Sequence, residues 1–533
     1  MLYSSPYAPV DIPDIDVFTY LFDNPPPYVT KESVVIIDSK TNQKTTFGQL
    51  QKQSLAFAKE AERIGVGKGD VVAVFSGNNC LYSSVCFGTI AIGGIVAPFN
   101  PSLKPAETCG YFSQLLPKVV VTEAQHLPKI QQTLELSHLE TTHIYVFDSH
   151  EQAKSILDLE YDASFERPAV SPLDVAYICY SSGTSGLPKG VQLTHRNIVS
   201  NVAQQLGPFE QPERRDVYIG VLPFYHSFGL NCLLHMLLKL NATLVVMAKF
   251  EFLSFLRAIE EYQVTIARIA PPIAVLLSKR REVDDFDLSS LRALRCGAAP
   301  LGPGVSTDLA RKLPHCDMKQ GYGLTEAAPV ITYMGDSTVV MGSVGHLLPN
   351  QVACIKSPSG HSLGVDQEGE LWIKGPNVMH GYHNNLDATA ATVDADGFLH
   401  TGDVAKFDKH GNLFITDRLK ELIKYNGYQV APAELEALLL THPYVADAGV
   451  IGVQCPRRYT EIPKAFVVLK PEATPSEEAR LDILQYVADR VANYKWIRGG
   501  VEFVSVIPKS PSGKLLRREL RHREKKRQTH SKL

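Results

Sequence analysis

The segment Phe47 to Ile64 and the run that follows it, Val71-Val72-Ala73-Val74-Phe75, decide the fold class. The first carries apolar residues at helical spacing. The second is short and β-branched, as a buried strand is. Val119-Val120-Val121 repeats the strand pattern, and the alternation of helical and strand-like segments continues to about Asp417. Such a rhythm predicts an α/β protein with largely parallel sheets. After Asp417 the texture changes to a short segment of Lys, Tyr and Gly (Lys420 to Tyr428) and then a helix opened by Pro432 with Glu434 and Glu436 early in it. Two strand runs follow, Val450-Ile451-Gly452-Val453 and Ala465 to Leu469. Proline and acids suit the unsatisfied N–H groups and dipole of a helix start. The expected organisation is a large multi-sheet N-terminal domain over residues 1–417 and a small α+β C-terminal domain over 418–533, joined by a hinge at 418–420. No internal repeat is visible.

Bulk properties agree with a multidomain globular protein. The chain has 533 residues, 44% of them hydrophobic and 20% charged, and a formal net charge of −3. One core does not extend much beyond about 250–300 residues, so a chain this long divides. A balance so close to neutral offers no footprint for nucleic acid or an acidic membrane. Nine cysteines are scattered singly, without the close pairs of metal sites or disulfide frameworks, which predicts buried thiols in a reducing compartment. From its first residues no secretory signal is expected. Two apolar stretches, Val85 to Phe99 and Gly229 to Ala248, fall short of membrane spans. The first is too short and holds three glycines, and the second is interrupted by Asn231, His235, Lys239 and Asn241. Both are expected in the core, and no transmembrane segment is expected.

A buried strand, Tyr177-Ile178-Cys179-Tyr180, runs into Ser181-Ser182-Gly183-Thr184-Ser185-Gly186-Leu187-Pro188-Lys189-Gly190 and then a second short strand, Val191-Gln192-Leu193. Three glycines and four hydroxyls in one loop present backbone N–H and O–H donors to phosphate oxygens. The spacing from Gly183 to Lys189 departs from the Walker pattern. A flexible hairpin would account for the first six residues alone, but not for the Pro-Lys-Gly ending.

This string resembles the phosphate loop of the adenylate-forming superfamily, which includes 4-coumarate:CoA ligases, acyl-CoA synthetases, peptide-synthetase adenylation domains and firefly luciferase. Further signatures follow in that family's order: Gly297-Ala298-Ala299-Pro300, Gln320-Gly321-Tyr322-Gly323-Leu324-Thr325-Glu326, Thr401-Gly402-Asp403, Asp417-Arg418-Leu419-Lys420 and Pro511-Ser512-Gly513-Lys514. The resemblance implies an acyl-CoA ligase that uses ATP, Mg²⁺ and coenzyme A to convert a carboxylic acid, through an acyl-adenylate, to its thioester. The acid would be an aryl or phenylpropanoid acid or a medium-to-long-chain fatty acid.

It further implies that Ser181, Ser182, Gly183, Thr184, Ser185, Gly186 and Lys189 hold the triphosphate, that Thr325 contacts the α-phosphate and that Glu326 places the metal. Asp403 would accept hydrogen bonds from the ribose hydroxyls, and Arg418 would add a ribose or phosphate contact. Ala298, Gln320, Gly321 and Tyr322 would form the adenine platform. Lys514 would be the catalytic cation of adenylation, a point charge suited to a developing oxyanion.

His226, after Leu222-Pro223-Phe224-Tyr225, would border an acyl pocket lined near Ser227, Phe228, Gly297, Gly321, Tyr322, Ala328, Val330 and Tyr333. For the second half-reaction the small domain would turn about Lys420. That rotation would bring Lys424 to the thioester-forming site, with Gly427 and Gln429 contacting coenzyme A and Lys249 meeting its phosphate.

Seven basic residues between Arg517 and Arg527 read as a solvated helix end. The closing tripeptide Ser531-Lys532-Leu533 is the signal read by the peroxisomal import receptor, so the expected location is the peroxisome. Two relatives in chemistry share these motifs: an adenylating module that delivers to a carrier protein, for which the short tail after Lys514 leaves no carrier in cis, and a luciferase-like monooxygenase.

Overall fold

The computed structural model describes the chain apart from residues 182–188, 210–214, 300, 336–339, 420, 426–427, 456–459, 492, 512 and 531–533; the side chains at 207–209, 303, 428–429 and 528–530 are likewise outside the description. Ser182, Gly183, Thr184, Ser185, Gly186, Lys420, Gly427, the side chain of Gln429 and the closing tripeptide therefore lie outside the described residues.

The helix expected at Phe47 spans Phe47–Arg63 and starts at a reciprocal cap, in which the Thr46 side chain accepts from the Gln49 N–H and the Gln49 side chain accepts from the Thr46 N–H. The strand Val71–Phe75 has all five residues buried, as a strand covered on both faces requires. It is central to an eight-stranded sheet in which Ile95–Phe99, Val71–Phe75, Val119–Thr122 and His143–Val146 run parallel. Helix Tyr82–Ala91 packs against the first helix at Gly88, where an added Cβ would come within 2.4 Å of the Ser54 carbonyl oxygen. Both apolar stretches resolve into a helical segment followed by a strand, Ile95–Phe99 in one case and Thr243–Val246 in the other. No helix among the described residues is long and apolar enough to cross a membrane.

A second sheet of nine strands has a parallel run made of Val34–Asp38, Thr243–Val246, Val217–Gly220, Ile266–Ile269, Ala293–Cys296 and Asp317–Gly323. A third, five-stranded and antiparallel, ends on the pair Leu399–Phe407 and Leu413–Arg418. Beyond Arg418 the architecture is smaller. The hairpin Ile423–Tyr425 with Tyr428–Val430 precedes helix Pro432–Leu439, then strands Val445–Cys455, Thr460–Leu469 and Val501–Phe503 form a three-stranded sheet. Two hydrophobic clusters drawn only from residues 423–520 form the core of this part. The protein is thus mixed α/β, with a large N-terminal domain and a smaller C-terminal one.

The small domain docks on the large one through specific contacts. The Ala433 N–H at the start of helix Pro432–Leu439 donates to Asp417 Oδ2 at 3.1 Å. A Cβ on Gly302 would stand 3.6 Å from the Ala437 Cβ, and one on Gly513 would stand 2.8 Å from Pro272 Cδ. This orientation brings Lys514 to the large domain.

Candidate active site

A cavity of about 500 Å³ lies between the sheets, a size that suits a small-molecule site. Its wall is built from strands of the second sheet and the loops at their ends, Ser181, Lys189 and Tyr382 of the first sheet, the Thr401–Asp403 segment of the third, and Lys514 of the small domain.

His226 reaches the cavity at the end of a pinned loop. The buried amide of Asn78 donates to the carbonyls of Leu222 (3.0 Å) and Gly220 (3.3 Å) and accepts from the Phe224 N–H (2.8 Å). Gly229 closes the following turn, where a Cβ would fall 2.2 Å from the Pro223 carbonyl oxygen. Burial, and then the positive charge of Lys514, pushes the His226 imidazole down to about 4, so the ring is neutral at pH 7. Its buried Nδ1 has no hydrogen-bond partner among the described residues and can serve a ligand.

The segment 323–330 is shaped by close backbone packing. Gly323 abuts Pro329, where a Cβ would stand 2.1 Å from the carbonyl oxygen, and Asn201 holds both backbone groups of Val330, at 3.2 and 2.8 Å. Thr325 opens one turn of 3₁₀ helix, not a continuing helix, because Ala328 takes a left-handed conformation (φ 62°). The Thr325 hydroxyl lies 3.3 Å from that of Ser227. The Glu326 carboxylate accepts from the Tyr382 hydroxyl at 3.0 Å, and the Tyr382 ring also carries the Lys189 ammonium, 4.6 Å from its centroid.

Asp403 sits in the bulged strand Leu399–Phe407 just after Gly402 (φ 69°), not in a free turn. It is buried, with Arg418 Nε 3.0 Å from Oδ1 and the Tyr322 hydroxyl donating to Oδ2 at 2.6 Å. Burial holds its carboxyl above the usual range, against the opposing charge of Arg418 and the Tyr322 bond. Glu370 steadies the same segment by accepting from Gly402 N–H at 3.1 Å.

Burial, and then the nearby Arg418 charge, pushes the Lys514 ammonium down to about 8, while Asp403, Glu421 and Glu326 act in the opposite direction. No hydrogen bond or ion pair ties Nζ to another described residue.

The cavity brings together Ser181, Lys189, His226, Ser227, Phe228, Gly297, Ala298, Gly321, Tyr322, Thr325, Glu326, Val330, Tyr333, Asp403, Arg418 and Lys514. Among the described side chains, four sequence-derived residues lie outside its lining. Gln320 is one residue deeper in its strand, paired with Cys296. Ala328 is fully buried with its carbonyl bonded to Asn231 at 2.5 Å, and the neighbouring Pro329 and Val330 line the wall instead. Lys249 is exposed beyond the end of strand Thr243–Val246, and Lys424 is exposed in the hairpin Ile423–Tyr425, opposite Gln429. Asn78, Glu370 and Tyr382 escaped the sequence reading. Each acts through a partner distant in the chain, and no local pattern marks them.

A family profile for "AMP-binding enzyme" matches residues 27–383, and one for "AMP-binding enzyme C-terminal domain" matches residues 434–514. The chain belongs to the AMP-binding enzyme family. It is 37% identical over 537 residues to 4-coumarate-CoA ligase 1 of Narcissus pseudonarcissus, spanning 98% of this chain and 96% of that protein. With the probable 4-coumarate–CoA ligase 1 of Dictyostelium discoideum the identity is 41% over 480 residues, 86% of each chain. Among solved structures, ATP-bound MatB from Rhodopseudomonas palustris matches with a TM-score of 0.85 and 25% identity, over 96% of this chain and 99% of that one.

The Asp403–Arg418 pair yields a stability prediction. Arg418→Met leaves a buried carboxylate with Tyr322 alone, and removing one member of such a pair costs about 3 kcal/mol, the low end being apt because Arg418 keeps some exposure. Urea unfolding should record the loss, and an unchanged midpoint would mean that the pair does not hold this end of the sheet.

Proposed function

We propose that this chain is an AMP-forming acid–CoA ligase that joins a carboxylic acid to coenzyme A through an acyl-adenylate. The observation that carries the reading is the convergence of Lys514, from the small domain, with Asp403, Arg418, Thr325 and His226 around one cavity. The relatives named above as 4-coumarate–CoA ligases support the reaction class, and an aryl, phenylpropanoid or fatty acid suits the mixture of small and aromatic walls at Gly297, Phe228 and Tyr333.

In the first step a carboxylate oxygen attacks the α-phosphorus of ATP and pyrophosphate leaves with the bond to the β-phosphate. Both reactants are anions, so fixed positive charge lowers the barrier by stabilising charge as it develops. Lys514 supplies that charge. Asp403 takes the ribose hydroxyls, and Arg418 holds Asp403 while facing the ribose or phosphate. Ala298 and Tyr322 border the adenine, the Ser181–Lys189 loop holds the β- and γ-phosphates, and Thr325 meets the α-phosphate. Neutral His226 orients the acid's carboxylate.

Glu326 fits a hard cation, being a carboxylate at the cavity wall held by Tyr382. The described residues offer no cluster of three metal-binding side chains, so the nucleotide's phosphates would complete the shell, as Mg²⁺ sites commonly have it. Bound Mg²⁺ would screen the triphosphate.

In the second step the small domain turns about Lys420 within the hinge at 418–420, taking Lys514 out and bringing the hairpin of Lys424, Gly427 and Gln429 to the adenylate. The thiolate of coenzyme A then attacks the acyl carbon and AMP leaves. Lys249 meets a phosphate of coenzyme A. The domain limits are 1–417 and 418–533, and Ser531-Lys532-Leu533 delivers the protein to the peroxisome through its import receptor.

The test separates the half-reactions. Lys514→Ala should lower pyrophosphate release by about 10²–10³ yet still form thioester from supplied acyl-adenylate. With the ammonium pushed down to about 8, the active charged form is lost as pH rises through that value. In kcat/KM for ATP, which reports the free enzyme, the rate should fall on that alkaline side, and Lys514→Arg should remove this limb because guanidinium stays charged. Unchanged pyrophosphate release in Lys514→Ala would sink the assignment. Separately, a fluorescent fusion at the N-terminus should move from peroxisomes to cytosol when Ser531 to Leu533 are deleted; continued import would refute the address.

A further inference from the structure

Two arginines in the cavity wall have no part in the reaction derived above. Arg268, in strand Ile266–Ile269, and Arg295, in strand Ala293–Cys296, are register partners, and both line the cavity. Lys319 is the register partner of Arg295 in the next strand, Asp317–Gly323. Register partners project from the same face of a sheet, so three cations stand in a row across adjacent strands. All three residues are buried, at 3%, 8% and 2% exposure.

Cations are rarely buried unless their charge is used. Within the protein they do have partners. Asp317 Oδ2 is 2.9 Å from Lys319 Nζ and 3.2 Å from Arg295 Nη1, Arg268 donates to Met236 Sδ at 3.2 Å, and each makes further interactions. A guanidinium nevertheless carries five N–H donors in one plane and can serve a protein partner and a ligand together. Asp317, the carboxylate shared by Arg295 and Lys319, has a side chain 43% exposed.

Position decides what the row could serve. The Arg295 guanidinium lies 5.7 Å from the ring centroid of Tyr333, on the side of the cavity formed by Phe228, Val330 and Tyr333. The ribose side, with Asp403 and Arg418, is built from a different sheet. Arg295, beside Tyr333, therefore borders the acyl side, with Arg268 next to it in the cavity lining. Guanidinium groups at that wall, with donors to share between protein and ligand, suit an anionic end on the acid better than a plain alkyl or aryl chain.

We propose that the acid carries a second carboxylate, remote from the reacting one, and that Arg268 and Arg295 bind it while Lys319 adds charge from the next strand. The inference rests on the acid–CoA ligase reading and narrows the substrate to dicarboxylic acids, alkyl or aryl. One carboxylate forms the mixed anhydride with AMP and then the thioester. The other stays ionised and makes no bond.

The experiment compares each acid of a dicarboxylic series of increasing length with the monocarboxylic acid of equal length and with the dicarboxylic acid's monomethyl ester. Pyrophosphate release by the purified full-length enzyme with ATP, Mg²⁺ and coenzyme A is the readout. Sites built to bond a polar group reject analogues lacking it strongly, so the best dicarboxylic acid should exceed both partners by about 10²-fold or more in kcat/KM. Arg295→Met and Arg268→Met should each cut that ratio at least about tenfold, chiefly through KM for the acid, and Arg295→Lys should keep part of it. The wild-type comparison stands even where a variant fails to fold. Monocarboxylic acids used with coenzyme A as well as or better than their dicarboxylic partners would overturn this inference and leave the ligase reading intact. Inactivity with every acid would overturn both.

Discussion

The ion pair between Arg418 and Asp403 is the interaction on which the site depends, because it joins the proposed ribose-binding carboxylate to the first residue of the proposed hinge. Asp403 is buried, and a carboxylate in that setting persists only with a cation and hydrogen bonds around it. Arg418 supplies the first from the adjacent strand and Tyr322 supplies a bond from another sheet. One residue earlier, Asp417 accepts the first N–H of the small domain's opening helix. Burial pushes the Asp417 carboxyl up to about 6 against the charge of Arg517. The proposed nucleotide site and the domain junction thus share two consecutive residues, so a change in one has a direct route to the other.

That sharing bears on Lys514. A lysine placed permanently beside a nucleotide would favour the adenylate in both directions and obstruct the approach of a thiol. On the proposed mechanism, carrying it on a domain attached next to the ribose site would let the same charge enter for one step and leave for the next. In the orientation described here, the small domain has Lys514 inside the cavity while Lys424 faces solvent. On that proposal, this orientation is the one suited to adenylation. His226 is neutral in the same setting, so it adds no second cation beside Lys514 and leaves a ring nitrogen for the acid.

Much of this was legible in the chain. Val71–Phe75 read as a strand because the run is short and β-branched, and Pro432 marked a helix start where one is found. Cavity residues as distant as His226, Thr325, Asp403 and Lys514 were each marked by a local motif. The contacts that hold them were not. Asn78, Glu370 and Tyr382 are ordinary polar residues until folding sets them against Leu222, Gly402 and Glu326. The row of Arg268, Arg295 and Lys319 was hidden for a related reason: a single cation in a short strand reads as a surface residue, and only strand register reveals that three share one buried face. Gln320 and Ala328 fell just outside the wall because a motif marks a segment, not which of its residues meets the cavity.

The central claim is that one domain orientation serves adenylation and another serves thioester formation. The gap between the Gly302 position and Ala437 permits a direct trap, since a Cβ at Gly302 would lie 3.6 Å from that of Ala437, within the span of a disulfide. Single-turnover rates of the two half-reactions in the oxidised and reduced Gly302→Cys/Ala437→Cys protein measure the claim most directly. The account predicts that oxidation leaves acyl-adenylate and pyrophosphate formation near the reduced rate while stopping transfer to coenzyme A, and that reductant restores transfer. A cross-linked protein that makes acyl-CoA as fast as its reduced form would contradict it.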